Sequence, residues 1–178
     1  MTDQSPRTDL SLRTLRPNDS DLLLEFFHCV ASSGIGSFFH PHAFDAQMAQ
    51  VICNYDGADW YAGAFLGSLD NWIMAGYVML RGWDEGYEEP SFGVCVLSEF
   101  QGYGIGSLLL KYAITTATLH GSPAIRLKVY PENKHAVNLY RSFGFQYAQE
   151  LHAGQLVGRL HLPLRSHSYG PADFKGDT

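Results

Sequence analysis

Cysteine is scarce in this chain: Cys29, Cys53 and Cys95 are the only three among 178 residues, and no two of them form a CxxC pair. An odd, scattered set excludes a disulfide framework and a zinc ribbon, and suits a reducing cytoplasm. Basic residues are also few, with Lys and Arg numbering 12 against 18 Asp and Glu, for a net charge of -6. Such a balance supplies no cationic footprint for nucleic acid or an anionic membrane, so an anionic ligand must be held by local geometry. Long apolar runs are missing: no stretch of about 18 uncharged apolar residues occurs, and residues 1–9 are polar with no signal-peptide core. The expectation is a soluble, unexported protein with no membrane partner. There is no repeat and no low-complexity block. What is abundant is core material, 46% hydrophobic and 13% aromatic. That is enough for one domain over 1–178, with an ordered core of about 10–164 and polar, mobile tails at 1–8 and 166–178.

Alternation of Leu10, Leu12 and Leu15 with polar residues predicts a first strand ending at Pro17. Asn18, Asp19, Ser20 and Asp21 are N-cap candidates for a helix carrying Leu22, Leu23, Phe26, Phe27 and Val30 at three- and four-residue steps. A loop over 36–43 and a second helix over 46–54 follow. Residues 61–66 and 71–81 then read as paired strands joined by Gly67-Ser68-Leu69-Asp70, and 82–86 as a turn. A fourth strand covers 91–97, with Phe92, Val94 and Val96 on one face and Gly93, Cys95 and Leu97 on the other. Beyond 101–106 comes a helix carrying Leu108, Leu109, Tyr112, Ala113 and Ile114. The fifth strand is 125–129, Pro131-Glu132-Asn133 caps a helix through Phe143, and Gly144 stands where a helix end takes a left-handed residue. Two last strands fit within 145–163.

Gln101-Gly102-Tyr103-Gly104-Ile105-Gly106-Ser107 connects a predicted strand to a predicted helix. Unpaired amides and the helix dipole favour an anion there, and glycines let the backbone approach it closely. The spacing is not that of a dinucleotide fingerprint, since Ser107 stands where the third glycine belongs, and no GK[ST] follows for a P-loop. Taken alone, the segment is a weak signal that a tight strand-to-helix turn would also produce.

The stretch from Val94 to Phe145 resembles the GNAT acetyltransferases. Gln101–Gly106 matches their [QR]xxGxG/A element, and Asn133-Lys-His-Ala-Val-Asn-Leu-Tyr140-Arg-Ser-Phe-Gly-Phe145 is a second matching piece in the right order. The likeness extends over about residues 10–164. It implies an α+β (α/β) fold: a mixed, mostly antiparallel sheet flanked by helices and splayed between strands 4 and 5. It implies acetyl-CoA as acyl donor. The strand backbone at Cys95 and Val96 would meet the pantetheine arm, the amides of Gln101, Gly102, Tyr103, Gly104, Ile105, Gly106 and Ser107 would hold the pyrophosphate, and Asn133 would touch the cofactor further along. Many relatives carry arginine at the position of Gln101; Lys111 or Arg141 would then supply the missing charge.

Acetyl transfer from a thioester needs a neutral amine, a hydrogen-bond donor for the carbonyl oxygen and an acid for the thiolate. Tyr140 falls where the family often has a tyrosine near the sulfur, and a phenol can donate to a thiolate; its helical spacing with Val137 and Phe143 also fits a core aromatic. For the base, Glu88 or Glu89 precedes the fourth strand, and at most one of two successive strand residues faces a cleft. Parity with Phe92, Val94 and Val96 selects Glu88, with two solvated carboxylates as the bland account. His40 and His42, with His28, lack a predictable metal-ligand spacing, so no metal is expected. The aromatic and histidine loop 38–44, with Trp60, Tyr61, Trp83 and Tyr87, is the expected acceptor lining, or else core.

The expected function is an N-acetyltransferase that moves an acetyl group from acetyl-CoA to a primary amine of a small molecule, an amino sugar among the candidates, by direct transfer in a ternary complex. No cysteine pairs with a histidine as a nucleophile would. A non-catalytic acyl-CoA sensor, a transferase for peptide or protein amines, and a nucleotide-binding regulatory domain are the alternatives. Oligomeric state stays open, a homodimer being one option.

Overall fold

The computed structural model describes residues 9–68 and 71–163, so the tails and the tip of the Gly67–Asp70 turn lie outside the described residues. In chain order the elements are β1 (Asp9–Thr14), α1 (Ser20–Ser32), α2 (Ala46–Cys53), β2 (Trp60–Ser68), β3 (Asn71–Arg81), β4 (Ser91–Val96), α3 (Ile105–His120), β5 (Ala124–Val129), α4 (Lys134–Ser142), β6 (Gln146–Tyr147) and β7 (Leu156–His161). The strands form a sheet in the order β1-β2-β3-β4-β5-β7-β6. β1 and β2 pair antiparallel, as do β5 with β7 and β6 with β7, whereas β4 and β5 are parallel. The sheet is thus mixed and mostly antiparallel, as expected. The parallel register joins Ser91, the first residue of β4, to Arg126.

The chain divides into two compact units, Met1–Met79 with Gly93–Leu110, and Leu80–Phe92 with Lys111–Thr178. In the first, α1 buries Leu23, Phe26, Phe27 and Val30, the apolar stripe its spacing predicts, in a core with Tyr77, Met79, Cys95 and Leu97. Asp19 precedes this helix but does not cap it with its side chain. Its carboxylate instead takes Arg13 at 2.5 and 2.7 Å and the Arg16 amide at 2.8 Å. Burial pushes the Asp19 carboxyl up, but these bonds and charges outweigh it and hold the group below the usual carboxylate range. Arg13 thereby fixes β1 to the start of α1, and its guanidinium also lies 4.0 Å from the ring centre of Phe65 on β2.

Two glycines let the layers of this unit close. A Cβ on Gly76 would stand 2.8 Å from Leu109 and 3.3 Å from Ile105, so β3 admits the start of α3 only because that side chain is missing. Tyr77, the next residue, points to the opposite face and meets the α1 rings of Phe26 and Phe27. A Cβ on Gly93 would meet Met79 at 2.7 Å and Phe39 at 3.3 Å, which seats the loop after α1 against β4.

In the second unit, β5 alternates buried Ile125, Leu127 and Val129 with exposed Arg126 and Lys128. Asn133 caps α4 through its side-chain oxygen, which accepts from the Ala136 amide at 3.2 Å, and Gly144 ends the helix at φ +93°. Trp83 stacks on His120 at 4.0 Å and donates to the Ser122 hydroxyl at 3.1 Å.

Candidate functional site

In the first unit the loop between β4 and α3 is built for close approach from outside. Leu97 donates to the Ala75 carbonyl, and Phe100 and Gln101 close a tight turn on Leu97 and Ser98. Gly102 and Gly104 then take φ of +84° and +83°, the left-handed region that L side chains rarely adopt, and space is open where a Cβ would stand at either. Ile105, 4% exposed, anchors the start of α3 in the core, while Tyr103 between the glycines is 79% exposed. The first amides of a helix have no intrahelical acceptor, and at α3 these belong to residues 105–107. This donor set, with room beside two glycines, fits a pyrophosphate.

Gln101 has a role that sequence reading missed. Its side-chain amide donates to the Val96 carbonyl at 3.1 Å, and its backbone N–H goes to Ser98. It thus ties the end of β4 to the loop, with both its side-chain and backbone N–H groups engaged within the chain. A neutral amide suits this bond because it donates without importing a charge. Cys95 is buried, and burial pushes its thiol up to about 12; Cys53 is likewise pushed up to about 12, chiefly by burial. Neither is a thiolate nucleophile near neutral pH.

The aromatic and histidine loop belongs to this unit too. His42 Nδ1 lies 2.8 Å from the Ala43 carbonyl and Nε2 lies 3.2 Å from the hydroxyl of Tyr77, which is fully buried. A protonated Nδ1 donating to the carbonyl leaves Nε2 to accept from Tyr77. Phe27 and Phe44 pack on the same imidazole. Among the described residues no group of three or more His, Cys, Asp and Glu could hold a metal ion.

The second unit holds Asn133, Tyr140 and the two glutamates. Tyr140 is 6% exposed, and its ring meets Phe92 edge-on at 5.9 Å and Phe145 at 5.7 Å. It is both a core aromatic and a residue of β4's neighbourhood. Glu88 and Glu89 lie in a bend before β4, outside the regular strand, so strand parity does not govern them. Glu88 is exposed. Glu89 binds Arg159 at 2.5 and 3.0 Å, with Arg126 at 3.7 Å. The hydrogen bond from Arg159, reinforced by the charges of Arg159 and Arg126, holds the Glu89 carboxyl below its usual range. Glu89 is therefore occupied as an ion-pair anchor. Trp83, a candidate for the acceptor lining, is engaged with His120 and Ser122, and Tyr87 is exposed.

A parallel β4–β5 pair in a mostly antiparallel sheet, with a glycine loop feeding the helix between them, is the fold that the sequence resemblance implies. A family model described as the acetyltransferase (GNAT) family matches residues 33–145, and the chain belongs to this family, a class of acetyl-CoA-dependent N-acetyltransferases. Among solved structures, the GNAT-family acetyltransferase from Streptococcus pneumoniae aligns over 87% of this chain and 100% of its own, at 20% identity and a TM-score of 0.69. NAA60 of Arabidopsis thaliana, solved in complex with acetyl-CoA, aligns over 85% of this chain and 96% of its own, at 15% identity and a TM-score of 0.62. In sequence, the spermine/spermidine N(1)-acetyltransferase of Bacillus subtilis is 42% identical over 53 residues, 29% of this chain and 35% of that protein. The match thus spans about a third of that relative's length.

Proposed function

We propose that this chain transfers the acetyl group of acetyl-CoA to a primary amine of a small molecule, directly and within a ternary complex. The observation that carries the donor assignment is the loop over 101–107, with its two left-handed glycines, the open space beside them and the amides at the start of α3. The amides after Gln101 hold the pyrophosphate, the backbone at Cys95 and Val96 lies along the pantetheine arm, and Asn133 contacts the cofactor further on. Family membership and the partial likeness to a polyamine acetyltransferase support an amine acceptor.

Acetyl-CoA supplies the activated acyl group as a thioester. Tyr140 gives its phenolic proton to the departing thiolate, and Glu88, the carboxylate not held by Arg159, takes a proton from the amine directly or through water. The high thiol pKa values of Cys53 and Cys95 support direct transfer over a covalent acetyl-enzyme. No helix among the described residues is long and apolar enough to cross a membrane, and three free cysteines suit a reducing cytoplasm.

The test is a panel of amines incubated with enzyme and acetyl-CoA, reading thiol release and product mass together. Stoichiometric release of CoA thiol and appearance of the acetylated amine is the expected result. Acetyl-CoA binding with no acetylated product from any amine would make the chain a sensor instead.

A further inference from the structure

Arg126 is the cation that the second unit holds beside the proposed base. Its amide donates to the Pro90 carbonyl at 3.0 Å, two residues from Glu88. Both sequence neighbours of Glu88 also meet its guanidinium: Glu89 at 3.7 Å, and the Tyr87 ring with its centre 6.0 Å away. Arg126 is only loosely engaged there. Arg159 takes Glu89 at 2.5 and 3.0 Å and also reaches the His161 ring at 2.6 Å, so the carboxylate is spent on Arg159. The Arg126 side chain keeps 48% of its exposure.

A second cation continues the same face. Lys128, also exposed, lies two residues along β5, so its side chain leaves the strand on the side of Arg126, about 7 Å further on. Arg126 stands opposite Arg159 across the β5–β7 ladder, so Glu89 offsets one of two facing positive charges and leaves the other. The 84–89 turn that carries the base is itself acidic, with Asp84, Glu85, Glu88 and Glu89, so Arg126, Lys128 and Arg159 on β5 and β7 are the cations nearest to it that an anionic group could meet.

We propose that Arg126, extended by Lys128, reads an anionic group on the acceptor. The acceptor is then an amine that also carries a carboxylate or phosphate, and a polycation such as a polyamine is disfavoured. This rests on the reading of Glu88 as the base of an amine acetyltransferase. The physical reason is simple: an exposed guanidinium binds carboxylate or phosphate through charge-assisted hydrogen bonds and repels an extended polyammonium chain.

Matched acceptors test it. β-Alanine against β-alaninamide isolates a carboxylate, phosphoethanolamine against ethanolamine isolates a phosphate, and spermidine is the polycation. With acetyl-CoA saturating, kcat/KM for at least one anionic member should exceed its neutral partner by about tenfold, as hydrogen bonds to a charged group allow. Added salt should narrow that ratio. Arg126→Gln should remove most of the preference by raising KM for the anionic amine with kcat little changed, and leave the neutral amine unaffected; Lys128→Gln should do the same more weakly. Equal kcat/KM within both pairs, a preference for spermidine, or an Arg126→Gln loss shared equally by anionic and neutral amines would overturn the inference while leaving acetyl transfer standing. Absence of product from all five amines would overturn the transferase reading and this inference with it.

Discussion

Tyr140→Phe keeps the ring that packs on Phe92 and Phe145 and deletes only the hydroxyl, which makes it a clean probe. If that hydroxyl protonates the thiolate, kcat should fall by ~10²- to 10⁴-fold while acetyl-CoA affinity stays near wild type. Stopped-flow rates and a binding titration would check this, and wild-type turnover would return Tyr140 to the core. Glu88→Gln should lower kcat/KM most at acidic pH, where the amine is protonated and needs a base, with partial recovery as pH rises. Glu89→Gln is a different experiment, because Glu89 is held by Arg159, which faces a second arginine, Arg126, across β5 and β7. Its carboxyl has a lower pKa folded than unfolded, so its contribution to stability is present above the unfolded value, about 4.3, and is lost as pH falls through the folded one. Urea midpoints should place Glu89→Gln below wild type at pH 6, and the gap should close at lower pH. A gap that persists unchanged into acid would mean that the Arg159 pair contributes nothing measurable.

At the scale of elements, Gly104→Val should damage acetyl-CoA binding more than folding. The backbone there sits at positive φ, which a β-branched residue resists, and the added methyls would enter the open space beside the loop. Calorimetric titration on the folded variant is the check, and unchanged affinity would take the loop out of the cofactor site. The loop was legible in sequence because its glycines are a local signal, and so were the strands and helices, whose apolar periods are local too. The Asn133 cap and the Gly144 stop were legible for the same reason. What escaped were side-chain partners that no local pattern marks. Nothing near Glu89 announces Arg159, 70 residues away, and nothing near Gln101 announces that its amide closes on Val96. Asp19 misled in the opposite direction: it stands where a cap belongs, but Arg13 outbids the helix amides for its oxygens.

At the scale of the whole molecule, an acidic chain that binds a polyanion does so against its own mean charge, and selectivity must come from shape and local donors. Acetyl-CoA at about 100 times its Kd would stabilise the native state by roughly 2.7 kcal/mol, a rise of about 5–10 °C in Tm for a chain of this size. ATP and NAD at the same concentration should give little. Equal shifts from all three in a thermal melt would remove the cofactor assignment. The glycine at 93 carries a further consequence, for how relatives of this protein diverge. A single added methyl there would press on the end of Met79 and the rim of Phe39, both of which can swing aside, so the barrier to change is low and the effect falls on the loop that holds His42 and Phe44. One codon on a central strand thus sets the seating of a segment more than fifty residues earlier in the chain. Lineages with alanine or serine at this position should therefore show altered lengths or aromatics between positions 38 and 45, a coupled pattern of drift that sequence collections would reveal before any assay.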